Sequence, residues 1–182
     1  MRACSRQWAI GGRKYGPGRV CPPGNSGGDV IEVNYAGIAN PNPQTAPLGT
    51  FNNLVDVGGF FSDDDGYRHA IVGVADGTVT EIYYNPDFGI FQVEIANIPD
   101  LTRLSGYYAG GDRFFNRRVQ GLTGGGRIHE VRYHPDFGIT RAVLFNACPL
   151  VDLGGFYTAD DDYRHSILAT PGGDVQELFF TP

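Results

Sequence analysis

Hydrophobic and polar positions alternate with a period of two over short runs, and these runs are punctuated by glycine, aspartate and proline. Such alternation, rich in Val, Ile, Tyr and Phe, predicts β-strands and no amphipathic helix. One run occurs four times. Its pattern is glycine, any residue, Val or Ile, any residue, Glu, aliphatic, any residue, aromatic. It reads Gly28-Asp-Val-Ile-Glu32-Val-Asn-Tyr35, Gly77-Thr-Val-Thr-Glu81-Ile-Tyr-Tyr84, Gly126-Arg-Ile-His-Glu130-Val-Arg-Tyr133 and Gly173-Asp-Val-Gln-Glu177-Leu-Phe-Phe180. The glutamates fall 49, 49 and 47 positions apart. Gly12, Gly59, Gly106 and Gly155 keep step with them, each following an aliphatic and a small residue.

A β-patterned period of this length predicts an all-β fold, a β-propeller with one four-stranded blade per repeat. The repeats run roughly over 8–53, 54–100, 101–149 and 150–182, within one domain covering 1–182. In the second copy the expected strands are Leu54 to Ser62, Tyr67 to Ala75, Thr78 to Asn85 and Gly89 to Ala96. Asp76-Gly77 marks a hairpin, and Pro86-Asp87-Phe88-Gly89 a second turn that the third copy repeats as Pro135-Asp136-Phe137-Gly138 before Ile139 to Phe145. Gly58-Gly59 breaks the first strand where a side chain would obstruct a crowded ring centre. The fourth copy ends at Pro182, aligned with Pro86 and Pro135, which leaves its outer strand to come from elsewhere. Met1 to Gln7 supplies part of it, or the ring closes between chains as a homo-oligomer. Pro22, Pro23, Pro41, Pro43 and Pro47 in the first copy belong on edges or bulges, because proline cannot donate to a ladder.

Composition narrows the function classes. The chain has 182 residues, 41% of them hydrophobic, enough for a packed core. A formal net charge of −6 without a Lys/Arg run argues against nucleic acid as a partner. No apolar run is long enough to span a membrane as a helix. Met1 to Ile10 lacks an apolar signal core, so the expectation is a protein not exported by the usual route, or a mature or partial form. Cys4, Cys21 and Cys148 cannot form a complete disulfide framework; one bridge stays open, and free buried thiols are the preferred reading. The acidic loops Asp63-Asp64-Asp65 and Asp160-Asp161-Asp162 read as solvated turns rather than Ca²⁺ loops, because the other copies do not repeat them. No metal site, cofactor or catalytic triad is expected, and polar groups repeated in every copy suit binding better than the asymmetric needs of catalysis.

The candidate site rests on the glutamates. Strand alternation puts each on the face of the apolar residue two before it, where a lone carboxylate is costly. Arg19, Arg68, Arg117 and Arg164 lie 13 positions ahead of Glu32, Glu81, Glu130 and Glu177, on the adjacent strand. One reading makes each pair a structural tie, within a blade or between blades. The other makes Arg, Glu and the aromatic three residues later (Tyr35, Tyr84, Tyr133, Phe180) a shallow polar pocket suited to a sugar, repeated for avidity.

The stretch Arg68-His-Ala-Ile-Val-Gly-Val-Ala-Asp76-Gly77-Thr-Val-Thr-Glu81-Ile-Tyr-Tyr84 resembles the repeat of fungal and bacterial fucose-binding propeller lectins. In that family an Arg opens a strand, an Asp-Gly or Asn-Gly turn follows, and a Glu and an aromatic complete the sugar site. The resemblance implies a non-enzymatic, multivalent, glycan-binding propeller, acting outside the cell or at its surface. Arg118, with His69 and His165, stands one place nearer the glutamate and is the alternative occupant of the family's Arg position. Tyr or Phe stands where the family usually has Trp.

Overall fold

The computed structural model describes residues 27–34, 44–62, 65–85, 87–110, 115–134, 136–146, 149–157 and 163–180. All regular structure among them is strand, so the all-β expectation holds. The chain divides into two compact units, Met1–Leu54 and Val55–Pro182. Met1 to Gln7, Arg19, Tyr35, the three cysteines and the triple-aspartate loop Asp160-Asp161-Asp162 lie outside the described residues, as do Asp63 and Asp64.

In the first unit, β1 (Gly27–Asn34) pairs antiparallel with β2 (Gln44–Asn52). Pro47 sits opposite Ile31 at a register shift. That is where a residue without an N–H does least harm to a ladder, as its sequence position suggested.

The second unit holds three antiparallel sheets. The first is β3 (Leu54–Phe61), β4 (Arg68–Val74), β5 (Thr78–Asn85) and β6 (Gly89–Asn97), in that order. The second repeats it with β7 (Leu101–Tyr108), β8 (Arg117–Thr123), β9 (Arg127–His134) and β10 (Gly138–Asn146). The third has β11 (Asp152–Tyr157), β12 (Arg164–Ala169) and β13 (Val175–Phe180). The hairpin expected at Asp76-Gly77 is present, and Gly77, Gly126 and Gly173 at the same repeat position all have positive φ. The strand bounds of the second copy match the sequence reading to within a residue.

The first strand of each later sheet packs on the sheet before it, β7 against β4, and β11 against β7 and β8. One apolar cluster lies between the first two sheets, built on Phe60, Ile71, Val79, Leu101, Leu104, Val119 and Val131. A second joins Leu122 and Ile128 to Leu153 and Leu168. Close approach requires glycine at Gly58, where a Cβ would lie 2.9 Å from the backbone nitrogen of Gly106. The face of β13 departs from its equivalents: Val175 is 71% exposed, whereas Val79 and Ile128 at the same repeat position are 0% exposed.

Candidate functional site

Two neighbours on one strand point to opposite faces, and that decides which carboxylate each repeated cation meets. His69, Arg118 and His165 share the face of their own sheet's glutamate. Register places them one pair away from it: His69 opposes Tyr83 while Ile71 opposes Glu81. Arg68, Arg117 and Arg164 precede them by one residue and face the other way. The in-sheet pair is therefore made across 12 positions rather than 13, and the 13-position arginines serve a neighbouring sheet or an aromatic ring. Arg164 ties its sheet to the neighbouring one through Glu130; a tie from it to its own Glu177 does not form.

Between the first and second sheets, Glu81 accepts from the Tyr133 hydroxyl, and His69 Nδ1 lies 2.6 Å from its Oε1. The other ring nitrogen of His69 is 3.4 Å from Asp65 Oδ1, and Asp65 also pairs with Arg117. Phe60 stacks on the His69 ring at 4.8 Å and 5°. Burial first, and then the Glu81 charge, pushes the Tyr133 hydroxyl well above its ordinary range, so it remains a donor.

Between the second and third sheets, Glu130 accepts from Arg118 at 2.8 Å, from the Tyr107 hydroxyl at 3.0 Å and from Arg164. Burial, and then Glu130, likewise holds the Tyr107 hydroxyl far above its usual range. Ser166 donates to Gln120 Oε1 at 2.8 Å, and Gln120 Nε2 reaches the Tyr107 oxygen at 3.5 Å, extending the network to a second pair of strands.

The third sheet carries the same local arrangement. His165 Nδ1 is 2.9 Å from Glu177 Oε1, and Phe156 stacks on His165 at 4.7 Å and 5°. Here the carboxylate side chain is 51% exposed, against 1% for Glu130 and 5% for Glu81. Two of the 13-position arginines lie over aromatic rings: Arg68 is 5.0 Å from the Tyr84 centroid, and Arg164, besides meeting Glu130, is 5.8 Å from that of Phe180. Glu32 sits on β1 opposite Ala46.

The structure therefore brings Arg118, Arg164 and Glu130 together, and Tyr133 to Glu81, but it closes these groups into the interior. Tyr84 and Tyr133 are themselves buried. Sequence reasoning passed over Phe60, Tyr107 and Phe156, which complete each cluster. Their signal was available, since each directly follows a landmark glycine. It also passed over Asp65, whose loop looked solvated.

Asp56 adds a further link between sheets, accepting from the Leu104 amide at 3.0 Å. Burial raises its carboxyl above the ordinary value, against the lowering effect of its backbone donors. The folded state thus binds this proton more tightly than the unfolded chain. The contribution to stability is full below about pH 4 and fades as pH rises through the elevated folded-state value. Asp56→Asn should lack that loss. Denaturant titrations from acid to neutral pH should show the variant gaining on the parent as pH rises; a pH-independent difference would contradict this.

At the turn-proximal ends of β5 and β6, aromatics lie at the surface. Tyr67 meets Phe88 at 6.2 Å and Tyr83 at 5.8 Å, and Tyr83 stacks on Phe91 at 5.1 Å. Phe88 is 68% exposed and its counterpart Phe137 55%. Among the described residues no group of three metal-ligating side chains converges, and no helix is long and apolar enough to cross a membrane. Comparison with protein-family profiles and with curated proteins finds no match.

Proposed function

We propose that the chain is a non-catalytic repeat protein of β-propeller type, a binding or scaffolding module whose repeated glutamates tie neighbouring blades. The observation that carries this reading is Glu130. Its carboxylate is 1% exposed and is shared by two guanidiniums and a tyrosine hydroxyl drawn from both sheets. A ligand would have to displace partners that already satisfy it, at a carboxylate closed off from solvent. The repeated geometry suits a fixed framework better than a reaction centre, which needs one unlike set of groups.

Carbohydrate binding is the second reading, favoured by the exposed aromatic clusters. An aromatic face beside polar side chains suits the apolar C–H patches of a sugar. On this reading the sugar-contacting groups are Phe88, Phe91 and Phe137 on the surface rather than the buried Glu81 and Glu130. A glycan array probed with the parent and with a Phe88→Ser, Phe137→Ser double variant tests it. Lectin activity predicts selective signals in the parent, inhibited by a simple sugar and lost in the variant, with the melting temperature little changed. A blank array for the parent leaves the scaffold reading alone.

A further inference from the structure

A depression of about 390 Å³ lies at the turn end of the second sheet, lined by Pro99, Asp100, Thr123, Arg127, His129 and Asn146. Its walls are set by register. Arg127 opposes Asn146 directly, and His129, two positions on, shares the Arg127 face by strand alternation. The same face carries Val131 and Tyr133 deeper in, so the depression opens at the rim of the junction with the first sheet. Asp100 is held over the turn from the other side. The Gly124 amide donates to its carbonyl at 2.8 Å, and a Cβ on Gly124 would come within 2.7 Å of its carboxylate.

Two features separate this place from ordinary surface. First, the side chains of Asp100, Arg127, His129 and Asn146 make no hydrogen bond or ion pair with one another or with other described residues, and His129 Nδ1 is buried without a partner. Polar groups converging on a concavity without partners are what a polar ligand satisfies. Second, the set is confined to one repeat. The positions of Arg127 and His129 hold Thr78 and Thr80 in the first sheet, and Asp174 and Gln176 in the third. The inter-sheet ties repeat; this group does not.

We propose that this depression binds a small hydroxylated carboxylate, of the uronic-acid class. Its volume falls within the range of small-molecule sites and accommodates one sugar ring. Arg127 offers a planar fork that matches a carboxylate. The cationic charge of Arg141 also reaches His129 and, after burial, contributes with Arg127 to lowering its pKa. A neutral imidazole supplies one donor and one acceptor. Asp100 and Asn146 offer acceptors, and Asn146 a donor, for ring hydroxyls. Arg127 and Arg141 together outweigh the single Asp100 charge, which favours an acid over a neutral sugar. The site is independent of the glutamate ties, so it stands or falls separately from the reading above.

Backbone amide shifts of the full chain, followed by NMR during titration with D-glucuronate, D-glucose and inorganic sulfate, provide the test. Glucuronate should give saturable shifts at Asp100, at 123–129 and at Asn146, with affinity at least about tenfold above that of glucose. Arg127→Gln, at an exposed position, should weaken glucuronate about tenfold with the melting temperature unchanged. Gly124→Ala, which displaces the Asp100 carboxylate, should weaken it while leaving the response to sulfate as it was. Sulfate binding as tightly as glucuronate would reduce the site to a bare anion contact and overturn the proposal. So would the absence of saturable shifts, or an unchanged affinity in Arg127→Gln.

Discussion

Glu130→Gln should lower stability by about 3–5 kcal/mol, the usual cost of removing one partner from a buried ionic group. The change keeps the size of the side chain and one acceptor oxygen, so packing is barely touched. It removes the negative charge that Arg118 and Arg164 share, whose side chains are 0% and 9% exposed. Two buried guanidiniums then lose the carboxylate between them to a neutral amide. For a chain of this size the loss corresponds to a fall in melting temperature of roughly 6–20 °C. Glu177→Gln is the internal control. It alters the same repeat position, where His165 stands in place of Arg118, at a carboxylate open to water, and should cost under about 1 kcal/mol. Calorimetry on the two variants side by side reads the difference. Equal effects, large or small, would mean that burial between sheets does not govern the role of these glutamates.

The second large effect is expected at the glycine contact between β3 and β7. Gly58→Ala adds one methyl group, yet that carbon would lie 2.9 Å from the Gly106 nitrogen and 3.4 Å from the backbone of Ser105. Backbone cannot swing aside as a flexible side chain can, so the first two sheets must separate. Overpacking of this kind costs about 1–3 kcal/mol. The separation would also strain the Asp56 to Leu104 bond and the His69–Glu81–Tyr133 cluster that bridge the same pair of sheets. At Gly66, a loop glycine with nothing near its would-be Cβ, alanine adds no steric clash. Its cost there comes only from a φ of +71°, and adjacent sheets are not pushed apart. Denaturant melts should show the Gly58 variant alone losing the hydrogen-exchange protection of β7. Retained protection in it would rule the steric account out.

Much of this architecture was legible in the sequence because period-two alternation and Asp-Gly turns are local signals. Thr78 to Asn85 came out to the residue, and its hairpin glycine has the positive φ that the turn chemistry implies. The burial of Glu81 and Glu130 also followed from alternation with apolar neighbours. What alternation alone could not give was the destination of each arginine. Whether Arg164 meets Glu177 or Glu130 depends on how one sheet lies against the next, and that information is not contained in spacing along one strand. The role of Asp65 was hidden for the same reason. A run of aspartates looks like a solvated turn until Arg117 of the next sheet is placed beside it. The depression around Arg127 and His129 was invisible to a reading built on repetition, because its residues depart from the repeat.

Arg164 and His165 are consecutive, yet one is addressed to Glu130 and the other to Glu177. The same holds for Arg117 with Asp65 and Arg118 with Glu130. A dipeptide with two destinations constrains how such a chain can change its length. Inserting or deleting one residue within β8 or β12 would exchange the two addresses, sending the cation meant for a neighbour into its own sheet and the reverse. Divergence among the copies is therefore expected to proceed by substitution along these strands, as His for Arg at positions 69, 118 and 165 already illustrates. Changes in length are left to the hairpins and to connections other than the loop of Asp65, whose carboxylate meets His69 and Arg117.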